Sequence, residues 1–146
     1  MRYPTYKGKF QPKHPEKYAG DVNNIIYRSG WERRVMKYLD EQPDVATWAS
    51  EELIIPYVSP RDGLRHRYFP DFIVKKTDGS VQVLEVKPRK ETKMPRKKKN
   101  QKQYVRELIT YAVNKAKWEA AEAYCGRQGW TFVVLTEANL FGTEDK

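Results

Sequence analysis

The sequence predicts an α/β fold: a single mixed β-sheet flanked by helices, in the order α-β-β-β-α-β, behind an extended N-terminal arm. Three patterns carry that reading. Trp31 to Leu39 has the spacing of an amphipathic helix. The stretch Thr47 to Lys87 is dense in β-branched and aromatic runs punctuated by turn residues. A second long helical pattern starts near Asn100 and is followed by one more apolar run, Trp130 to Leu135. Strands and helices that alternate in this way are satisfied by one sheet with helices packed on it. A chain of 146 residues is one domain in size, and hides roughly 70% of its surface without staples.

Each element has a local reason. Residues 1–24 are rich in Pro, Lys, Tyr and Gly without periodicity, so they read as an arm, pinned by Tyr3, Tyr6, Phe10 and Tyr18, ahead of a domain over 25–146. Ser29 with Glu32 three residues on is a capping-box pattern. Trp31, Val35, Tyr38 and Leu39 then predict a helix over 30–41, which Pro43 ends. Thr47 to Val58 reads as one extended segment whose end Pro56 confines to a sheet edge, closed by the turn Ser59-Pro-Arg-Asp-Gly63. His66 to Lys75 and Ser80 to Lys87 are strand-like, joined by a turn at Thr77-Asp78-Gly79. Asn100 caps a helix to about Gly126, with Gly126 or Gly129 as its stop. Val105, Ile109, Ala112, Ala116, Ala120 and Ala123 form its expected core face, and Tyr104, Tyr111 and Trp118 an aromatic row that packs beside it. Trp130 to Leu135 is the final strand, and Asn139 to Lys146 a short tail.

Composition excludes several classes. One cysteine, Cys125, rules out an intramolecular disulfide and a thiolate zinc cluster, and His14 and His66 alone cannot make a His-rich metal site. No apolar run approaches the ~18 residues of a membrane span, and the N-terminus has no apolar signal region, so neither a membrane nor a secreted location is expected. The net charge is +9, and its location matters more than its size. Lys87 to Lys102 holds nine Lys/Arg against Glu91, which leaves +1 for the other 130 residues. A tract of such density repels itself, and a polyanion relieves that repulsion through counterion release.

Chemistry concentrates beside this tract, at Asp71, Glu85 and Lys87. Two carboxylates on adjacent strands suit a hard cation such as Mg²⁺, which takes oxygen ligands and keeps waters for substrate phosphates. Lys87 shares a strand face with Glu85, because side chains alternate with period two, and can stabilise charge on a phosphate or act on a water. The register tests the idea. Asp71 opposes Glu85 only if paired positions sum to 156. A two-residue loop gives 157 and throws the carboxylates to opposite faces. The three-residue loop Thr77-Asp78-Gly79 gives 156, needs a left-handed residue at its end, and has Gly79 there. Glu32, at the rim of the first helix's buried face, is a further ligand or water holder, or simply the capping partner of Ser29. Glu51 also lies within reach, with exposure the alternative. Arg65 and Arg67 precede Asp71 and are phosphate contacts or solvated strand ends, while His66 reads as a surface residue. Arg89, Lys90, Lys93, Arg96, Lys97, Lys98, Lys99 and Lys102 form the candidate DNA-backbone clamp.

Pro70-Asp71 and Glu85-Val86-Lys87 resemble the PD-(D/E)xK nuclease superfamily. More narrowly, the chain is similar to the head completion nuclease family of contractile-tailed phages. The stretches that carry this are KYAGD, IIYRSGWE, WASEELIIPYV, HRYFPDF, LEVKPRKET, VNKAKWEAAE and LTE. The nuclease half also resembles the transposon-end endonuclease TnsA. The resemblance implies a restriction-endonuclease-like core and a Mg²⁺-dependent endonuclease for double-stranded DNA, acting in virion assembly around packaging and head–tail joining. It implies Asp71 and Glu85 as metal ligands, Lys87 as the catalytic lysine and Glu32 as the helix carboxylate. Partners would be head, portal or neck proteins, in the virion or the cytoplasm of an infected bacterium. The alternatives are a structural head–neck protein that binds DNA or portal on a nuclease-like scaffold, and a TnsA-like enzyme. Against the last stands the lack of an obvious separate recognition domain.

Overall fold

In the computed structural model, residues 7–142 are described, so Tyr3, Tyr6 and the last four residues of the tail lie outside them. The arm begins with β1 (Gly8–Lys9), which pairs antiparallel with β2 (Ile26–Tyr27). Between them, two short 3-10 turns fold the chain against the domain. Phe10 and Tyr18 meet the ring of Trp48 edge-on, with centroids 5.9 and 4.8 Å away. Asp40, buried near the end of α1 (Gly30–Glu41), accepts the N–H groups of Lys13 and His14 at 2.8 and 3.0 Å. The Lys17 ammonium donates to the carbonyls of Asp40 and Gln42, oxygens that the helix end leaves without partners.

The helix α1 has the expected bounds. Ser29 Oγ accepts the Glu32 N–H at 3.1 Å, while the Glu32 carboxylate returns to the N–H of Arg28 rather than of Ser29. Its buried stripe is Trp31, Val35, Met36 and Leu39; Tyr38, expected in it, is 54% exposed and Met36 is sealed instead.

The extended segment expected over 47–58 is two strands. β3 (Val45–Ser50) stops at Glu51, whose φ is +54°, and β4 (Ile55–Val58) starts four residues later. The next expected strand divides in the same way at Phe69-Pro70-Asp71, into β5 (Arg65–Tyr68) and β6 (Phe72–Lys76). Pro70 has no N–H to give to a ladder. β4 and β5 pair with each other, Ile55 with Tyr68 through Val58 with Arg65, as a hairpin outside the main sheet. The main sheet runs β3-β6-β7-β8, with β7 (Val81–Val86) antiparallel to β6 and parallel to β8 (Thr131–Leu135), which follows α2 (Gln101–Gln128). Counted without the inserted hairpin, the order is the expected α-β-β-β-α-β. The β6–β7 register is the one that the carboxylates need: Phe72 opposes Leu84 and Lys75 opposes Val81. Lys76 faces Ser80 across the three-residue turn, and Gly79 has φ +89°.

Asn100 caps α2 by accepting the Gln103 N–H, and Gly129 ends it in the left-handed region. The helix is rolled differently from the expected small-residue face. Asn114, Ala121 and Cys125 are buried, while Val105 and Ile109 are exposed, as is Ala123. The rings decide the roll, because aromatic side chains bury far more area than alanines. Trp118 and Tyr124 pack with Ile55, Tyr57, Tyr68 and Phe132. A larger core lies on the other side of the sheet, where α1 and the arm cover Trp48, Phe72, Val74, Leu84 and Val86. The expected tail from Asn139 is in fact part of a short helix, α3 (Glu137–Phe141), capped by Thr136, and Phe141 packs on Trp31. No described helix is long and apolar enough to cross a membrane.

Candidate active site

The interrupted ladder at Pro70 delivers Asp71 to the mouth of the β6–β7 hairpin. Its Oδ2 accepts the Val86 N–H at 2.7 Å, which ties it across the sheet to the residue beside Glu85. Glu85 is buried, and its Oε1 accepts the Tyr68 hydroxyl at 2.7 Å. Lys87, one strand repeat further, brings its ammonium to 3.9 Å from Glu85 Oε2. Glu32, also buried, acts electrostatically on Asp71 from α1 and is itself felt by Lys87. Burial raises the pKa of Asp71 well above the ordinary carboxylate value, and the charges of Glu85 and Glu32 add to it. Burial likewise raises Glu85, against the pull of Tyr68, Lys87 and Lys117. It raises Glu32 against the Arg28 N–H. Three mutually repelling acids are thus held in one recess by backbone and hydroxyl donors, with a lysine at its edge. Such an arrangement is costly to folding and is a signature of sites built for chemistry.

Comparison with known proteins places the chain in a family. The family of TnsA-like endonuclease N-terminal domains matches residues 42–137, which include the whole hairpin. The head completion nuclease of Enterobacteria phage T4 is 39% identical over 141 residues, covering 93% of this chain and 94% of its own length. The chain belongs to the TnsA-like endonuclease family. It is therefore a nuclease, with a restriction-endonuclease-like mixed sheet.

The donor set of this TnsA-like chain fits a hard cation. Asp71 and Glu85 each spend one oxygen on a protein donor and keep the other for the recess. Among the described residues no group of three or more Asp, Glu, His or Cys closes into a cage. A cation held here would rest on two carboxylates together with water and phosphate oxygens, the manner of Mg²⁺.

Other sequence candidates divide. Glu32 satisfies both readings at once, a partner of the α1 start and a carboxylate of the recess. Glu51 adjoins the site, since its N–H donates to the Asp71 carbonyl, and its carboxylate is paired with Arg28. Arg65 and Arg67 are not brought to the carboxylates. Tyr68 points to Glu85, and strand alternation turns Arg67 away from it, over the ring of Phe69. Arg65 stands at the far end of β5, and His66 pairs with Asp62 at 2.7 Å on the surface. The basic tract lies beside the site: a 3-10 turn over Arg89–Thr92, then an extended strap leading to α2.

Two neighbours of the site were not legible in the sequence. Tyr68 fixes Glu85. Lys117, on α2, lies 5.7 Å from the centroid of the Tyr68 ring and acts electrostatically on Glu85. Burial lowers its pKa. Lys117 lies in the stretch VNKAKWEAAE, but no spacing ties it to the hairpin, and it sits on a helix whose roll the pattern of small residues misplaces.

Proposed function

We propose that the chain is a Mg²⁺-dependent endonuclease for double-stranded DNA that acts in phage head completion, at packaging and head–tail joining. One observation carries the chemistry: Asp71, Glu85, Glu32 and Lys87 share a single recess at the hairpin mouth. The role in virion assembly rests on the phage T4 relative being a head completion nuclease. It would have the enzyme work on DNA at assembling heads, beside portal or neck proteins, in the infected cell or the virion.

Asp71 and Glu85 would hold the metal. When bound, Mg²⁺ would supply Lewis acidity to the phosphoryl oxygen and ease the ionisation of water. The protein's own groups do the rest. Tyr68 holds Glu85 in one rotamer, and the Val86 N–H holds Asp71, so both acids are positioned before DNA arrives. The Lys87 ammonium stands where negative charge grows on the scissile phosphate. Lys117 offers a second cation. Glu32, with its raised pKa, is the group suited to accept a proton from the attacking water. Lys90, Lys93, Arg96, Lys97, Lys98, Lys99 and Lys102 grip the backbone without reading bases. Arg89 joins them through the 3-10 turn.

The test is a supercoiled plasmid incubated with the purified protein in Mg²⁺ or in EDTA. Nicking is expected in Mg²⁺ alone, and Asp71→Asn should not nick. A protein that binds DNA yet never nicks in Mg²⁺ would instead be a structural head–neck component.

A further inference from the structure

The strap after β7 and the N-terminal half of α2 enclose a groove of about 1140 Å³. That exceeds the ~300–1,000 Å³ of an ordinary small-molecule site. Six of its sixteen lining residues are Lys or Arg against three Glu. Its floor is unlike a bare phosphate clamp. Tyr111 lines it with an aromatic ring. Asn114, one helical turn on, also lines it, is only 7% exposed, and its side-chain amide has no hydrogen-bond partner among the described residues. Among the described residues, the buried side-chain polar atoms without a partner are the indole N–H groups of Trp48 and Trp118 and not this amide, whose hydrogen bonds are left to what fills the groove. One further turn along the same face, at i+3, stands Lys117 beside Glu85. Arg89, which lines the groove, is two residues from Lys87, so the groove begins beside the carboxylate recess.

We propose that this groove binds a single-stranded segment of DNA that leaves the duplex at the active site. The inference rests on the nuclease reading above and adds a preference to it: duplex that carries a fork, a flap or a frayed end is held more tightly than duplex without one. In a duplex the base faces are stacked and the Watson–Crick edges paired, so Tyr111 finds no ring to stack on and Asn114 meets only groove edges and phosphates. An unpaired base offers its face to Tyr111 and its free edge to the two donors and two acceptors of Asn114. The guanidinium groups of Arg96 and Arg106 line the same groove and match phosphates on either side of that base. Lys98 is held to the wall by Glu107 at 3.5 Å, which leaves the floor to the ring and the amide.

Fluorescence anisotropy in EDTA measures the binding without cleavage. The probes are a labelled mixed-sequence single strand of about twelve nucleotides, within the usual span of such sites, and a blunt duplex of equal length. The single strand is expected to bind more tightly. Tyr111→Ala and Asn114→Ala are expected to weaken it about tenfold, with the duplex affinity little changed and Tyr111→Phe restoring the ring. Circular dichroism melts confirm that each variant folds. Equal or tighter binding of the duplex, or single-strand affinity unchanged in both alanine variants, overturns the proposal. Plasmid nicking in Mg²⁺ is a separate readout, so loss of the groove's role and loss of the nuclease reading are told apart.

Discussion

The hairpin recess and the basic groove are neighbours built on opposite principles. In the recess, acids are buried, each is fixed by a named donor, and the β6–β7 ladder sets their spacing. In the groove, cations ride on a strap without regular structure and on the exposed half of a helix. Bond-breaking needs charges fixed in a low-dielectric place before the substrate arrives. Holding a polyanion needs only a high density of cations in contact with solvent, and it gains from counterion release. Lys87 joins the two regions. It follows the last residue of β7, and it is the first residue of the tract.

If that division holds, chemistry and grip separate by mutation. Asp71→Asn keeps an acceptor for the Val86 N–H but removes the charge. Plasmid nicking should fall by about 10³-fold or more, while duplex affinity in EDTA stays within about twofold. Lys87→Ala tests the junction. Its nicking rate should drop about 10²-fold, seen in kcat rather than KM, with a small loss of affinity as well. If Lys87→Ala changed affinity alone, Lys87 would belong to the grip and not to the chemistry.

How far the sequence foretold each region follows the same division. The hairpin register was legible because the period of two is rigid and one glycine at the right place selects the loop. The caps Ser29 and Asn100 were legible because one side-chain oxygen satisfies one orphan N–H locally. The roll of α2 was not. Small residues at helical spacing compete with rings at another spacing, and only the shapes of the β4–β5 hairpin and β8 decide between them. That error hid Lys117 and Asn114 together. The break at Glu51 was hidden too, since Glu51-Glu52 followed by Leu53-Ile54-Ile55 has strand composition throughout while the backbone at Glu51 turns left-handed. Asp40 carries no signal of its own in the sequence, and its task of holding the arm exists only once residues 13 and 14 arrive.

The grip has its own signature. Replacing Lys97, Lys98 and Lys99 together by Ala should weaken duplex binding at low salt by tenfold or so, and reduce the slope of log K against log salt by about 0.9 for each phosphate no longer neutralised. The rate at saturating DNA should hold. A slope unchanged from wild type would mean that the strap does not lie on the backbone.

The smallest effect is on stability, and its sign separates the regions most sharply. Asp71, Glu85 and Glu32 have folded pKa values raised above their ordinary ones. The folded state therefore holds protons that the unfolded chain has released. The stability contributed by these groups is full below the ordinary values of 3.8 and 4.5, and is lost as pH climbs through the raised ones. In EDTA, the thermal midpoint should decline by a few degrees as pH rises from the ordinary carboxylate values through the raised ones. Asp62 and Asp78 have lowered values and push the other way, but both are exposed and screened by solvent. Taking the difference between wild type and Asp71→Asn removes their share. The variant should be the more stable protein at neutral pH and should show the shallower decline, because it no longer ionises beside Glu85 and Glu32. The Lys97, Lys98, Lys99 variant should keep the wild-type slope, since none of those cations faces the recess. Parallel slopes for wild type and Asp71→Asn would mean that the acids are not in fact held against their charge, and the recess would lose its claim to be the prepared half of the enzyme.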